Sequence, residues 1–593
     1  MAIFEKKIAS KVLLDDTESL TCVIENYHNI NGHTEYIIRV QRGPFRDKSW
    51  HIYKRYNDFL SLYSSLQSSG LSLPFPPKKL IGNMGREFIS ERQQALQKYL
   101  NAVLMNPILA SSLTTKKFVD PDSYCTPFHE LALQYVSLAL RGEVGWEVVG
   151  PQPDIGWRLR KHYFQVKCKS SPKDDLLASW VDYGPDKYLE DKDMHAVFKS
   201  LGQIQHPYIH SIELCLCTEV GGLVVRKANK NGSLRDILCS AKPRQSFLKK
   251  YGNPKGHTHL FVEQIALYGK QILEALKFLH DKGLPYGHLH SGNLILENDR
   301  VRLLDIENGI LGVPSFYRPY FVQHRRIHSL QMIDVYSFGH MLYEMAFGCP
   351  LHESVCENYP ANCPPLLKSI LESILSAEAC KGGLPTIEAL MSHPFFSSIT
   401  LTHGSDEKGH LKIPCSTKEQ LRLAQMQLEE RLKDEQKMVR SQKRLVKVQE
   451  MMSSEEEKKK RKHKAKQEQK QQQKEQQKEQ HREQKKLLLQ QQQLSLQNGS
   501  ERSESVNSTS TATSVGTVTP PSSTGSNIPS PPPPPPMAPL PPPIPEMNGL
   551  STAALTSKDR TALLGSICNF NKSNLQLRNT SILYIFFAKI FME

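Results

Sequence analysis

The sequence predicts a multidomain α+β protein: a three-stranded sheet with helices, a large mixed unit of helices and strands, a long basic helix and a disordered proline-rich tail. Three observations predict it. At 593 residues the chain is too long for one core, since about 150 residues per domain is usual. Its charge is unevenly spread: of the net +15, residues 416–490 carry +9, 1–125 carry +4, and 126–415 and 491–593 carry +1 each. Its punctuation is uneven too, because 418–497 contain neither Pro nor Gly whereas Pro531–Pro536 is an unbroken proline run. These shifts place boundaries at 1–125, 126–400, 416–497, 498–550, 551–580 and 581–593. The twelve cysteines include no CxxC pair. Neither Cys215-x-Cys217 nor the set Cys349, Cys356 and Cys363 has zinc-ligand spacing, so no structural metal is expected and the thiols read as those of a reducing compartment. The opening MAIFEKKIASKVLLDD lacks a signal peptide's apolar core, and no run approaches the roughly 18 apolar residues of a membrane span. A cytosolic protein is expected.

Within 1–125, residues 19–25, 34–40 and 49–53 read as strands. Arg55-Tyr56-Asn57-Asp58-Phe59 opens an amphipathic helix with Phe59, Leu62, Tyr63 and Leu66 on one face. The prolines of Leu73-Pro74-Phe75-Pro76-Pro77-Lys78-Lys79 force an extended path. A further helix carries Phe88, Arg92, Leu96, Tyr99 and Leu100. This order of RYxxF, PPKK and ERxxxLxxYL resembles a phox-homology (PX) domain. The resemblance implies binding of phosphatidylinositol 3-phosphate membranes, with Arg55 on the 3-phosphate, Tyr56 against the inositol ring and Lys78 at the 1-phosphate. It puts Arg92 on the ring hydroxyls and Lys79 at the membrane surface. A guanidinium suits the task because its paired donors match phosphate oxygens. The plain alternative makes Arg55 and Arg92 solvated helix charges and Tyr56 a core residue.

In the next unit, Ile265, Tyr268, Ile272, Leu276 and Leu279 fall at helical spacing. There follow Tyr286-Gly287-His288-Leu289-His290-Ser291-Gly292-Asn293, Leu303-Leu304-Asp305-Ile306-Glu307, Asp334-Val335-Tyr336-Ser337-Phe338-Gly339 and His393-Pro394-Phe395-Phe396. The series resembles the C-terminal lobe of a protein kinase over roughly 260–400. Phosphoryl transfer in that family needs an aspartate in the catalytic loop, five residues before a magnesium-binding Asn. Asn293 is present, but the aspartate's place is His288, whose imidazole offers no fixed negative charge. No catalytic set is intact. Asp305 stands at the other metal-ligand place, and Glu307 replaces a glycine with an extra carboxylate within reach of a metal. Weak magnesium-ATP binding through Asn293 and Asp305 is the residual expectation, against the alternative that both only bond the loop backbone; no cofactor is required.

The N-terminal lobe departs further. Gly150 to Gly156 do not match a phosphate-covering glycine loop. Counting back from His206-Pro207 puts the ion-pairing Glu at Val197 and the phosphate-binding Lys at Ala178 or Ser179; Lys167 and Lys169 sit too early. An ion pair that closes the kinase fold is lost at both ends, since Pro314–Pro319 supplies no Glu and Leu384 stands for the Arg. Losing both halves avoids stranding a buried charge. The expectation is a pseudokinase acting as a binding scaffold, with an unconventional, weakly active Ser/Thr kinase as the alternative.

Leu421, Leu428, Leu432, Val439 and Val446 form a 3-4 stripe, which predicts a coiled coil over 418–452. Lys458–Lys466 (KKKRKHKAK) suits an anionic membrane surface; nuclear import or RNA is the alternative, and the lack of interleaved aromatics makes nucleic acid an unfavoured partner. The proline run suits profilin, EVH1 or Src-homology-3 partners. Arg560–Ile567 resembles the start of a WASP-homology (WH2) motif, which implies actin-monomer binding through Leu563, Leu564 and Ile567; its basic continuation at Leu577-Arg578 comes late. The apolar 581–593 piece is too short to span a membrane. Taken in order, the modules resemble a family of PX-domain kinase-like proteins. That resemblance implies a cytoplasmic protein, peripheral at endosomal and cell membranes, that influences surface cargo such as growth-factor receptors and Na,K-ATPase subunits.

Overall fold

The computed structural model describes residues 14–30, 32–45, 47–79, 85–156, 158–401 and 409–497. The proline run, the WH2-like Leu563, Leu564 and Ile567, and the apolar tail lie outside the described residues.

Strands β1 (Leu20–Ile30), β2 (His33–Arg42) and β3 (Ser49–Arg55) form an antiparallel meander in that order. Alternation puts Leu20, Cys22, Ile24, Ile38, Val40 and Ile52 in the core. Helix α1 (Tyr56–Leu66) begins where β3 stops. The Asp58 carboxylate accepts the Arg55 backbone N–H at 2.7 Å, so Asp58 caps the strand-to-helix corner. Helix α1 buries Phe59, Leu62 and Leu66, and α2 (Arg86–Met105) buries Ile89, Leu96, Tyr99, Leu100 and Val103 against them. The proline-rich stretch is pinned by Phe75, whose ring stacks on Tyr63 at 4.6 Å and meets Tyr99 edge-on at 5.0 Å.

Helix α3 (Phe128–Arg141) then lies on a five-stranded antiparallel sheet ordered β4-β5-β6-β8-β7. Its strands are β4 (Trp146–Pro151), β5 (Lys161–Cys168), β6 (Leu176–Asp182), β7 (Leu214–Cys217) and β8 (Gly221–Lys227), with α4 (Asp191–Leu201) between β6 and β7. Ala132, Val136 and Leu140 of α3 pack with Phe164, Val166, Ala178 and Trp180. The larger lobe is built from α5 (Val262–Asp281), the hairpin β9 (Leu294–Glu297) and β10 (Arg300–Leu303), α6 (Leu330–Phe347) and α7 (Pro365–Leu375). Asp334 on α6 is wholly buried and earns its place by holding backbone: it accepts from Tyr286 N–H at 2.8 Å, Gly287 N–H at 2.6 Å and the His280 ring at 2.8 Å. The loop carrying His288 is thereby tied to the buried helix.

The segment after Asp305 crosses under the loop that follows β6. Gly184 N–H donates to Leu311 O at 2.9 Å and Asp186 N–H to Gly312 O at 3.0 Å. A Cβ on Gly184 would lie 2.0 Å from Gly312 O, so only glycine allows this approach.

Two expectations need correction. Residue 400 is not a packing boundary, because His410 bridges to Gln205 and Leu411 and Ile413 enter the main core. The stripe assigned to a coiled coil is occupied within the chain. On α8 (Cys415–Gln497) Leu421 and Leu432 are buried, and Leu428 and Val439 are partly buried, against the larger lobe; only Val446 is exposed. Polar contacts fix the register. Gln425 donates to Gly283 O at 2.8 Å, Leu330 N–H to Glu429 at 3.1 Å and Gln436 to Ile327 O at 2.7 Å. An apolar stripe answers equally to a partner helix or to a groove in its own domain; here the groove takes it.

Candidate functional site

Two cavities carry the chemistry. The first, of about 270 Å³, opens beside the small sheet and is lined by Arg55, Tyr56, Lys78, Lys79 and Arg92 together with Tyr36 and the β1–β2 turn. Strand β3 ends at Arg55, α1 starts at Tyr56, the pinned prolines deliver Lys78 and Lys79, and α2 supplies Arg92. All five predicted residues are brought together, and none of the described lining residues is acidic. The Arg92 guanidinium sits between two rings, 4.4 Å from Tyr56 and 4.3 Å from Phe88. Arg92 is only 8% exposed, and its Nη2 is buried with no protein partner. Tyr56 is held by its hydroxyl, which donates to Pro76 O at 2.8 Å, and the Lys79 ammonium lies 4.4 Å from Phe88. A buried donor without a protein acceptor, in a pocket lined by cations and by no described acidic residue, is an arrangement that favours an anion.

The second cavity, of about 570 Å³, lies between the lobes of the kinase-like unit. Val197 on α4 and Ala178 on β6 are fully buried among apolar side chains, and Ser179 donates to Val224 O, so the counted positions hold neither a Glu nor a Lys. The cation comes instead from the start of β5: Lys161 Nζ lies 2.6 Å from Asp305 and 3.9 Å from Glu307. Sequence reasoning missed it. Glu307 is not a free carboxylate either, which corrects its assignment as a spare metal ligand. Arg226 from β8 donates to both its oxygens, at 3.1 and 2.6 Å, and approaches Asp305 at 3.8 Å. Burial alone would raise the Glu307 pKa; Arg226 and Lys161 outweigh it and hold the carboxyl below its usual range.

His288 occupies the place of the missing aspartate. It is 3% exposed, and burial, aided by Arg158 and Lys161, pushes its pKa well below the usual 6.5. The ring is therefore neutral and a weak base. Asn293 donates to His288 O at 3.0 Å, so it bonds the loop backbone. Asp305 sits at φ 59 with its carboxylate on Lys161. The arrangement does not fit the magnesium ion that a kinase fold implies. Two carboxylates are already matched by two buried cations, and a divalent ion would enter against Lys161 and Arg226. Among the described residues no group of three or more His, Cys, Asp or Glu side chains is placed to hold a metal. The catalytic loop therefore carries a buried neutral His288 where the family uses its aspartate, and Asp305 and Glu307 are held by Lys161 and Arg226.

Comparison with known proteins agrees. The PX domain family matches residues 42–122. The chain is 51% identical over 449 residues to the PX domain-containing protein kinase-like protein of Mus musculus, covering 76% of this chain and 77% of that one. It is 32% identical over 314 residues to the Slowpoke-binding protein of Drosophila melanogaster, covering 48% and 58%. It is 30% identical over 307 residues to the "Probable inactive serine/threonine-protein kinase slob1" of Dictyostelium discoideum, covering 46% and 51%. A PX domain followed by a kinase-like unit is thus matched over about three quarters of both chains, and the chain belongs to the family of PX domain-containing protein kinase-like proteins.

Proposed function

We propose that this protein is a scaffold recruited to phosphatidylinositol 3-phosphate membranes, whose pseudokinase unit binds proteins and transfers no phosphate. The observation that carries the reading is the buried, partnerless Nη2 of Arg92 in a pocket shared with Arg55, Lys78 and Lys79. Arg55 grips the 3-phosphate, Lys78 the 1-phosphate and Arg92 the ring hydroxyls; Tyr56 forms the wall for the inositol and Lys79 faces the membrane. Among the described residues no helix is long and apolar enough to cross a membrane, so attachment is peripheral, at endosomal and cell membranes.

The cargo reading is a membrane transport protein or receptor. A relative named for binding Slowpoke supports a channel-type partner, alongside the sodium pump and growth-factor receptors. Actin, through Leu563, Leu564 and Ile567, and profilin, EVH1 or Src-homology-3 proteins, through the proline run, complete the scaffold. Liposome pelleting of the full chain tests the reading. Wild type pellets with vesicles containing phosphatidylinositol 3-phosphate and not with plain phosphatidylcholine; Arg55→Gln and Arg92→Gln each lose about tenfold or more in affinity. Unchanged pelleting of either variant overturns the assignment.

A further inference from the structure

We infer that residues 438–466 of α8 form a second membrane-binding surface, which takes an anionic bilayer through an apolar strip and a basic run and needs no 3-phosphate. At about 100° per residue, Leu421, Leu428, Leu432 and Val439 fall on one line along α8, the line that the larger lobe covers. A different line stays outside. Met438, Leu445, Val448 and Met452 share an arc of about 80°, centred about 135° round the helix from the covered line. They are 49–64% exposed, and Met451 beside them is 60% exposed. The strip runs for about four turns and stops at Met452, because Glu455 and Glu456 take its next two positions.

The charges around the strip decide what suits it. Lys437 and Arg444 border it on one side, with Arg440 and Lys447 in the next row, and Gln442 and Gln449 border it on the other. Lys437 meets Asp434 at 2.8 Å, but both side chains are mostly exposed, and such a pair is weak. A second copy of the helix would bring no acid to the basic border, and Ser441 would interrupt the few apolar positions it could offer. After the glutamates at 455–457 the helix continues as KKKRKHKAK over 458–466. Over 437–466 twelve Lys and Arg stand against four Glu, whereas over 467–486 the count is six against four. The excess is therefore confined to the segment that carries the strip. An acidic bilayer answers both features. Its acyl boundary receives the apolar strip, the Lys and Arg stems lie along that boundary, and their charges meet the headgroups. A nucleic acid backbone would answer the charge and leave the strip in water.

Pelleting of the full chain in the Arg55→Gln background tests this, with vesicles of phosphatidylcholine alone and of equal parts phosphatidylcholine and phosphatidylserine. No 3-phosphoinositide is present, so the result stands apart from the lipid proposed for the Arg55 pocket. The chain should pellet with the phosphatidylserine vesicles and not with phosphatidylcholine. Raising the salt from about 0.1 M to about 1 M should release most of it, since the Debye length falls from about 10 Å to about 3 Å. Leu445→Ser/Met452→Ser, at exposed positions, should bind about tenfold or more weakly with no fall in unfolding temperature. Lys458→Gln/Lys459→Gln/Lys460→Gln/Lys462→Gln should lose at least as much. Met452→Trp should add an emission that shifts to the blue on phosphatidylserine vesicles only. The inference is overturned if the Arg55→Gln chain ignores phosphatidylserine, or if the double serine variant pellets as well as its parent. Should that variant also lose oligomer mass in light scattering, the strip belongs to a second copy. Tighter binding to duplex RNA than to phosphatidylserine vesicles, indifferent to the serine substitutions, would overturn it in favour of nucleic acid.

Discussion

Glu307 is 1% exposed and remains ionised because Arg226 donates to both of its oxygens. Removing one partner leaves the other charge buried alone. Arg226→Met should therefore cost about 3–5 kcal/mol of stability, while Arg226→Met/Glu307→Leu should recover most of that loss; urea denaturation measures both. Neutral buried histidines set the acid limit. Burial pushes the His340 pKa down to about 3, and His162 falls to about 4, again chiefly by burial. In each case the folded pKa lies below the unfolded one, so the unfolded chain binds the extra proton. Stability is full above the unfolded pKa near 6.5 and falls as the pH drops below it. Each such histidine should cost about 1.4 kcal/mol per pH unit between there and its folded pKa. Replacing His340, packed among Tyr317, Tyr320 and Tyr336, by Phe should shallow the decline in midpoint between pH 7 and 5.5; an unchanged slope would exclude His340 as a contributor. At this scale much of the cationic pocket beside the small sheet was legible, because Arg55, Lys78 and Arg92 lie in short motifs. Lys161 was not, since its partners Asp305, Glu307 and Asn308 all come from the loop after β10, 144 to 147 residues away in sequence. A signal existed all the same: Phe164, Val166 and Cys168 alternate toward one face of β5, which sends Lys161, Tyr163 and Gln165 to the other.

Helix α8 shows why an element can be predicted while its neighbour cannot. Its length was readable from the absence of Pro and Gly, and its stripe from Leu421, Leu428, Leu432 and Val439, but periodicity reports only that one face wants covering. What covers it is the groove lined by Leu284, Ile310, Val313, Phe321 and Leu330, none of them adjacent in sequence. Leu432 is 2% exposed, and truncation to Ala should cost about 2–4 kcal/mol through lost burial and the cavity left behind. Hydrogen exchange should then quicken along 418–443 and in the segment 309–322 beneath it. Protection unchanged in 418–443 would show that this face does not hold the helix. Farther along, Leu445, Val448, Met451 and Met452 are 49–64% exposed, so exchange there should be fast in wild type and unaffected by the substitution.

Across the whole molecule, one buried charge cluster gathers distant parts of the chain. Arg318 is 3% exposed and meets Asp186 from the smaller lobe at 2.6 Å, Glu435 from α8 at 2.6 Å and Asp15, ahead of β1, at 3.3 Å. Arg431 joins the same Asp186 and donates to Pro185 O at 2.8 Å. A second contact ties the PX domain to the pseudokinase, where Asn253 donates to Gly70 O at 3.1 Å and Leu248 packs on the PX core. The compositional boundary near 400 therefore cuts through a packed structure. A fragment ending at residue 400 would uncover the groove for Leu421 and Leu432 and leave Arg318 short of Glu435, exposing apolar surface of the kind that drives association. Such a fragment is expected to aggregate in size-exclusion chromatography, whereas one ending at residue 450 should run as a soluble species with a single unfolding transition. Adding the 415–450 peptide to the shorter fragment during refolding should restore solubility, and Leu421→Asp/Leu432→Asp in that peptide should abolish the rescue. A stable, soluble fragment ending at 400, indifferent to the peptide, would show that α8 is an accessory and not part of the pseudokinase core.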